Sequence, residues 1–256
     1  MTSCAIIATG VANTASVAAA LRRIGLSPTV TAHPAEVEAA DLAVLPGVGS
    51  FAVGMAMLIN TRNDRVITER INQGRPLLAV CLGMQLLGTA SEESPGVPGL
   101  AIVPHAITAF PKGTRTPQFG WNKVSNSSPV ADGGGGREAD GVGLSHQVSR
   151  SEAPPVSPMS PQRKQGTSSL SSDPPLLQPG HAYFANSYRY TDAPQGWHTA
   201  TADHGGPFIA AMARGNTLAC QFHPELSGPF GLDLIRRWAE RCGVRTTAMN
   251  GEPTPC

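Results

Sequence analysis

The sequence has almost no net charge. Its 256 residues include 19 Lys and Arg against 18 Asp and Glu, which gives a formal net charge of +1. Proteins that bind a nucleic-acid backbone or an anionic membrane surface use a surplus of basic residues. This chain has no such surplus, so we expect neither nucleic acid nor membrane among its partners.

Cysteine is scarce and is not arranged for cross-linking or metal binding. The five cysteines form no CxxC pair and no disulfide pattern of a small secreted domain; they are Cys4, Cys81, Cys220, Cys242 and Cys256. Reduced thiols of this kind are typical of cytosolic proteins. We expect neither a metal nor an organic cofactor.

Long hydrophobic runs are also missing. The first residues, "MTSCAIIATG", lack a basic segment, and their apolar run is too short for the core of a signal peptide. No other run reaches the length of a membrane span. The sequence therefore predicts a soluble, cytoplasmic protein.

Short apolar runs alternate with helical patterns between residues 4 and 103. The runs "CAIIA", "PTVTA", "DLAVL", "PLLAV" and "GLAIV" are predicted strands, and "NTASVAAALRRIG" and "RVITERINQG" are predicted helices. In the first helix Asn13 or Thr14 caps the first turn and Gly25 ends it. Such alternation is typical of an α/β fold with a mainly parallel sheet covered on both faces.

The second half of the chain changes composition and then returns to strands. Residues 126–179 are rich in Ser, Pro and Gly, and we interpret them as a disordered insertion into a single domain of residues 1–256. The segments "HAYFANSYRY", "WHTATADH", "FIAAMARG" and "TLACQFHPE" then predict a strand meander. An amphipathic helix follows, and residues 244–256 are predicted to be a frayed tail.

Cys81 lies where an apolar strand, "PLLAV", turns into the helical segment "LGMQLLG". A tight strand-to-helix turn of this kind aims a nucleophile out of the sheet. The positive end of the helix favours thiolate, and the amide of Leu82 can hold a developing oxyanion. A buried structural cysteine is the simpler interpretation, and a partner base is needed to decide.

"QFHPELS" supplies such a base. His223 and Glu225 occupy alternate positions of a predicted strand, so that imidazole and carboxylate project to the same side. Glu225 can then fix the tautomer of the imidazole and stabilise its protonated form. Together with Cys81, the two residues predict nucleophilic catalysis by a thiol.

The loop "LPGVGSF" follows the apolar run "DLAVL", which places it at the C-terminal edge of the sheet. Ligands of open parallel sheets bind at this edge. Gly47 and Gly49 on either side of Val48 let the chain pass close to a substrate and turn an amide towards it. A simple strand-to-helix turn is the alternative interpretation of this loop.

Six segments in this order, "PGVGSF", "VCLGMQLL", "SEESPGVPGL", "FGWNKV", "YFANSYR" and "QFHPELS", resemble the triad-type (class I) glutamine amidotransferases. More narrowly, the chain is similar to the glutaminase subunits of imidazole glycerol phosphate synthases. Met84 after "CLG" favours this branch, because relatives serving anthranilate, GMP or carbamoyl phosphate synthesis usually have His there. The resemblance implies a flavodoxin-like, mainly parallel sheet flanked by helices, with an antiparallel portion in the C-terminal half.

The resemblance also implies a role for each matching residue. Cys81 attacks the carboxamide of glutamine, His223 protonates the departing ammonia, and Glu225 orients the histidine. The other implied site residues are Gly47, Val48, Gly49 and Leu82 for the oxyanion hole, Gln85, Glu93, Ser187 and Tyr188 for glutamine binding, and Trp121 and Tyr183 for the partner interface.

The implied partner is a (β/α)8-barrel cyclase subunit in a heterodimer. It uses the ammonia to make imidazole glycerol phosphate and an aminoimidazole carboxamide ribotide in histidine biosynthesis. The chain departs from the family pattern at Ala12, Ala79, Asn186 and Leu226. In the family, the positions of Asn186 and Leu226 lie near the substrate loop and the partner surface, so these two departures concern the coupling of glutamine hydrolysis to the partner.

Two alternatives remain open from the sequence. The first is another Cys-His-Glu hydrolase with the same elbow, such as the glutaminase of pyridoxal phosphate synthase or a γ-glutamyl hydrolase, although "PGVGSF" and "FGWNKV" speak against it. The second alternative is a catalytically silent subunit that retains the fold as a scaffold for a synthase.

Overall fold

A computed structural model describes residues 2–10, 12–126 and 175–247. Its main feature is a nine-stranded mixed sheet with the order β2-β1-β3-β4-β11-β10-β9-β6-β7. The strands are β1 (Ser3–Ile7), β2 (Ser27–Thr31), β3 (Leu42–Gly47), β4 (Leu77–Cys81), β6 (Gln118–Asn126), β7 (Gly180–Asn186), β9 (His198–Asp203), β10 (Pro207–Arg214) and β11 (Thr217–Cys220). Two short strands, β5 (Thr108–Ala109) and β8 (Tyr188–Arg189), form a separate antiparallel pair.

The helices lie between these strands. They are α1 (Thr14–Arg23), α2 (Pro34–Ala39), α3 (Phe51–Thr61), α4 (Asn63–Asn72), α5 (Leu82–Gln85) and α6 (Gly228–Arg241), and a 3-10 turn spans Pro224–Leu226. The strands β2, β1, β3, β4 and β11 are parallel, whereas β10, β9, β6 and β7 add antiparallel pairs. This confirms the predicted α/β fold with its C-terminal antiparallel portion.

The parallel strands are buried on both faces, as their continuous apolar sequences predict. Successive residues point to opposite faces of a sheet. In β3, Leu42 and Val44 therefore join one hydrophobic core cluster, and Ala43 and Leu45 join the other. The sheet is thus the central layer, and its C-terminal edge is free to carry a site.

Helix α1 begins and ends as the sequence predicts. The Asn13 side chain accepts a hydrogen bond from the amide of Ser16, and Gly25 adopts a φ of 86° just after the helix. The apolar residues Val17 and Leu21 of this helix are buried against the sheet. At the other end of the chain Trp238 of α6 is fully buried, and its indole donates to the carbonyl of Asn216.

The run "GLAIV" is not a strand, contrary to the prediction. Leu100 and Val103 donate their amides to the carbonyls of Leu86 and Leu87, and Ala101 has a φ of 54°. The segment therefore folds back on the chain that follows α5 instead of pairing along the sheet. An apolar run of five residues does not distinguish these two outcomes by its pattern alone.

The predicted insertion and tail fall largely outside the described residues, which exclude 127–174 and 248–256. The predicted boundaries need correction where the structure describes them. Leu176 and Leu177 are buried in the core, and the Leu176 carbonyl accepts a hydrogen bond from Arg237 of α6. Val244 is buried as well, and Thr247 donates to Ile24. Apolar burial thus extends the packed domain beyond both predicted limits.

No helix among the described residues is long and apolar enough to cross a membrane. In the same part of the chain, no cluster of three or more His, Cys, Asp or Glu side chains is placed to hold a metal ion.

Candidate active site

Cys81 is the last residue of β4 and has a φ of 53°, a left-handed conformation that is costly for a residue with a side chain. The chain turns there directly into α5. Gly83 makes the turn possible, because a Cβ at this position would lie 2.0 Å from the carbonyl oxygen of Leu45. The strand-to-helix elbow that the sequence predicts is therefore present, with its sulfur at the C-terminal edge of the sheet.

His223 and Glu225 meet in a different way from the one predicted. The strand β11 ends at Cys220, and Glu225 lies in the 3-10 turn Pro224–Leu226 rather than on a strand. The proline that follows His223 starts this turn and brings the carboxylate back to the ring. The Nδ1 atom of His223 and the Oε1 atom of Glu225 are 2.8 Å apart, and both side chains are buried.

The surroundings of His223 raise its pKa from 6.5 to about 10. Burial alone would lower this pKa, but hydrogen bonds to Cys81 and Glu225, together with the charges of these two groups, outweigh the effect of burial. Because Nδ1 is paired with Glu225, Nε2 is the ring nitrogen that faces Cys81. The imidazole is accordingly protonated at neutral pH and places positive charge beside the sulfur.

Strand β7 and helix α6 hold this pair in place. The amide of His223 donates to the carbonyl of Tyr183, and the Ser227 hydroxyl donates to the carbonyl of His223 and accepts from the amide of Tyr183. Gly231 of α6 packs so closely that a Cβ there would lie 2.0 Å from the Pro224 oxygen. The backbone around the histidine is therefore fixed on two sides.

The predicted oxyanion residues lie beside the elbow. Gly47 is the register partner of Cys81 across β3 and β4, and a Cβ on Gly47 would lie 2.8 Å from the Cβ of Leu82. Gly49 has a φ of 95°, and the side chain of Val48 between the two glycines is 39% exposed. The glycine loop therefore begins directly beside Leu82, the residue that follows the nucleophile.

Glu93 occupies the N-terminus of α3, the helix that follows the glycine loop. Its Oε2 accepts a hydrogen bond of 2.7 Å from the amide of Phe51, and the neighbouring Ser94 hydroxyl accepts one from Ala52. Ser50, at the local N-cap position, makes no such side-chain bond. The carboxylate predicted to bind glutamine thus also caps the helix that anchors the oxyanion loop.

The other residues predicted to bind glutamine gather around Gln85, which is buried. Its Nε2 donates to the carbonyl of Tyr188 at 3.2 Å, and the same carbonyl accepts from Nδ2 of Asn186 at 3.1 Å. The Ser187 carbonyl accepts from the amide of Phe110 at 3.4 Å. The structure thus brings Gln85, Ser187 and Tyr188 together, and Asn186, a departure from the family pattern, helps to fix the Tyr188 carbonyl.

Sequence reasoning did not assign Gln221 to the site. Its side chain is fully buried, its Nε2 lies 3.8 Å from the Cys81 sulfur, and its Oε1 accepts from Gln85. The signal available in the sequence was its position two residues before His223. Ser227, whose hydroxyl holds the backbone of His223, was also not assigned to the site.

An exposed aromatic surface adjoins the site. It consists of Phe119, Trp121 and Tyr183, whose rings meet edge to face at centroid distances of 5.6 and 6.1 Å. Phe119 is 74% exposed and Trp121 is 59% exposed. Trp121 lies over Gly228 at the start of α6, and Leu226 in the 3-10 turn is also exposed.

A cleft of about 660 Å³ opens next to this aromatic surface. It lies between β6 and the turn after β9, and its lining includes Arg115, Gln118 and His204. Gln118 is buried, and among the described residues its side-chain amide has no hydrogen-bond partner.

Comparison with known proteins agrees with this fold. The family model for class I glutamine amidotransferases matches residues 5–241. A crystal structure titled as a glutamine amidotransferase has a TM-score of 0.64 at 16% identity, covering 94% of this chain and 99% of that one. A putative GMP synthase subunit from Thermoplasma acidophilum has a TM-score of 0.57 at 16% identity, with 95% and 94% covered. The chain belongs to the class I glutamine amidotransferase family.

Within this family the similarity to one group is stronger. The imidazole glycerol phosphate synthase subunit HisH of Methanothermobacter thermautotrophicus is 33% identical over 92% of this chain and 97% of its own length. The HisH subunit of Haloarcula marismortui is 34% identical over 91% of this chain and 92% of its own length. The chloroplastic synthase hisHF of Arabidopsis thaliana is 32% identical over 90% of this chain, which spans 32% of that longer protein. With this identity over nine tenths of its length, the chain belongs to the HisH family.

Proposed function

We propose that this chain hydrolyses glutamine to glutamate and ammonia and passes the ammonia to a cyclase subunit of an imidazole glycerol phosphate synthase. The observation that carries the proposal is the constellation of Cys81, His223 and Glu225 at the sheet edge, beside Gly47, in a chain of the HisH family. A sulfur beside a protonated, carboxylate-bound imidazole is the arrangement that nucleophilic thiol catalysis requires.

The reaction follows from this arrangement. The Cys81 sulfur attacks the carboxamide carbon of glutamine, and the electron pair of the C=O bond moves onto oxygen. The amide of Leu82 and an amide of the Gly47–Gly49 loop donate hydrogen bonds to this oxyanion. The tetrahedral intermediate collapses as His223 gives its proton to the leaving nitrogen, which departs as ammonia and leaves a glutamyl thioester.

Water then completes the cycle. His223, now neutral, takes a proton from water as the oxygen attacks the thioester, and the sulfur leaves as glutamate forms. Glu225 holds the ring through Nδ1 in both steps and stabilises its protonated form. Gln85, Glu93, Ser187 and Tyr188 bind the glutamine, with Glu93 suited to its ammonium group.

The exposed aromatic surface is the proposed face for the cyclase subunit. Large exposed aromatics that form a contiguous patch mark interaction sites, and Trp and Tyr are enriched among interface anchors. The surface adjoins the catalytic residues through Tyr183, whose carbonyl holds the amide of His223.

Glutamate release by the chain mixed with its cognate cyclase subunit and the nucleotide substrate tests the catalytic assignment. We expect Cys81→Ala to abolish release and His223→Ala to be nearly as severe. Glu225→Gln should retain more activity, because it removes the charge that orients the base but leaves the base itself. Each variant should keep the far-ultraviolet circular dichroism of the wild type. Release at the wild-type rate in Cys81→Ala would refute the assignment.

A further inference from the structure

Three hydrogen-bonding groups connect the pocket around Gln85 to the nucleophile. The Tyr188 carbonyl accepts from Nε2 of Gln85 at 3.2 Å, the same Nε2 donates to Oε1 of Gln221 at 3.0 Å, and Nε2 of Gln221 lies 3.8 Å from the Cys81 sulfur. Gln221 is fully buried and Gln85 nearly so. A buried amide is costly unless its polar atoms are hydrogen-bonded, so we expect this series of hydrogen bonds to be an ordered part of the site.

The direction of these bonds is determined at the backbone end. A carbonyl can only accept, so the Tyr188 carbonyl requires the NH2 group of Gln85 on its side. That NH2 group in turn requires the oxygen of the Gln221 amide. The Gln221 amide is thereby held with its own NH2 group towards Cys81, and it presents a donor to the sulfur rather than an acceptor.

We propose that Gln221 is a positioning residue, which holds the Cys81 sulfur with a side-chain N–H and is itself held in orientation by Gln85. The sulfur then has two donors beside it, the protonated His223 ring and the Gln221 amide, and one acceptor, the Ala185 carbonyl at 3.9 Å. A donor to sulfur favours the anionic form that attacks the substrate and limits the rotation of the side chain about χ1. The expected effect on glutamate release rests on the proposed glutaminase function, whereas the expected effect on the reactivity of the Cys81 thiol does not.

The order of bonds has a further consequence for substrate binding. Both N–H groups of Gln85 are used within the described part of the chain, so its Oε1 is the group left to face a ligand. An acceptor at that point suits the ammonium group of an amino acid. Gln85 would then bind the substrate with one end of its amide and support the nucleophile, through Gln221, with the other.

Two substitutions at Gln221 test whether the N–H donor matters, as opposed to the length of the side chain. Gln221→Met keeps the length of the side chain but gives the sulfur no donor. Gln221→Glu keeps the acceptor for Gln85 and replaces the donor by an oxygen that repels an anionic sulfur. Thr217→Val is the matched control, because Thr217 is a buried polar residue at the start of β11, the strand that ends just before Gln221.

The primary measurement is the rate at which iodoacetamide alkylates Cys81 at pH 7, followed by mass spectrometry of the Cys81 peptide in the full chain. We expect the rate to fall about fivefold in Gln221→Met, the factor that one ordinary hydrogen bond supplies, and further in Gln221→Glu. Thr217→Val should alkylate at the wild-type rate. An unchanged rate in Gln221→Met, or a faster rate in Gln221→Glu than in Gln221→Met, would overturn the inference.

Gln85→Met provides a second test if the Gln221 variants do not fold. It frees the Gln221 amide to turn, so the alkylation rate should fall in the same direction, and an unchanged rate there also contradicts the inference. In glutamate release, Gln221→Met should lower kcat and leave KM unchanged. If the wild type releases no glutamate while the alkylation rates behave as expected, the proposed function fails and the positioning role stands.

Discussion

The nucleophile and the base lie on two regions of the same sheet that are built differently. Cys81 ends a parallel strand that is buried on both faces, and its turn tolerates no Cβ at Gly83. His223 follows the last parallel strand on a short turn, which is held by Tyr183 and Ser227 and adjoins the exposed aromatic surface. The nucleophile side is thus fixed by packing within the core, whereas the base side combines a close approach of α6 at Gly231 with hydrogen bonds to β7, the strand that carries Tyr183.

This difference indicates which side can respond to a partner. A closely packed elbow has few alternative arrangements, because any shift of its backbone meets the carbonyl of Leu45. The base side is packed against α6 as well, but it is also bonded directly to β7, whose Tyr183 side chain belongs to the exposed aromatic surface. We infer that a bound partner acts on the base side, and the three predictions below test this division.

The largest effect is expected at the elbow. Gly83→Ala brings a methyl group against the Leu45 carbonyl, and we expect a loss of about 3 kcal/mol or more in the free energy of unfolding, together with the loss of glutaminase activity. Gly74→Ala is the control, because Gly74 has a φ of 70° but open space around its Cα, so only about 1 kcal/mol should be lost. Urea denaturation measures both. Equal losses would show that the elbow is not tightly packed.

An intermediate effect is expected on the aromatic surface. Trp121→Ala should weaken association with the cyclase subunit by more than about tenfold, since loss of an interface anchor typically costs ~2 kcal/mol or more. The isolated chain should unfold at nearly the wild-type temperature, because the ring is largely exposed. Ile59→Ala, at an exposed apolar residue of α3, is the control and should bind like the wild type.

Titration calorimetry gives the affinities, and a coupled assay shows whether nucleotide binding still stimulates glutamate release. Unchanged affinity and stimulation in Trp121→Ala would mean that the partner binds elsewhere. A lower melting temperature in the isolated variant would mean that the ring supports its own domain.

The smallest effect between two neighbouring conditions is expected in the dependence of stability on pH, because one titrating group changes the free energy of unfolding by at most about 1.4 kcal/mol per pH unit. The pKa of His223 is raised from 6.5 to about 10 in the folded chain, so the folded state holds this proton where the unfolded state has lost it. The resulting stabilisation is complete below pH 6.5 and is lost as the pH rises towards 10. Denaturation of the wild type and of His223→Gln at several pH values should show the wild type losing more stability over this window. Parallel curves would contradict the raised pKa.

Local patterns in the sequence were sufficient for much of the fold. The capped helix α1, the buried parallel strands and the elbow at Cys81 depend on neighbouring residues, and all are present. The pair of His223 and Glu225 was predicted from the correct residues with the wrong geometry. The proline between them starts a 3-10 turn, and strand alternation cannot describe such a turn.

Contacts between segments that are distant in the sequence could not be predicted from local patterns. Glu93 caps α3 from 42 residues away, and nothing near Phe51 in the sequence indicates that its amide needs an external partner. Gln221 meets Cys81 across 140 residues, and its bond to Gln85 depends on how β7 and β8 place the Tyr188 carbonyl. Leu176 and Val244 lie in segments that were predicted to be a disordered insertion and a frayed tail. Both are buried, because they pack into the core cluster that α6 and the sheet form.

Tyr183 has consequences for how this chain can change over evolutionary time. Its ring belongs to the surface, whereas its amide and carbonyl are bound to Ser227 and His223. Under the proposed interface, substitutions at Phe119 and Trp121 alter the choice of partner through side chains alone and leave the backbone that carries the base unchanged. A deletion or insertion in β7 would alter recognition and chemistry in one step, so lineages that acquire new partners should vary in β6 and keep the length of β7.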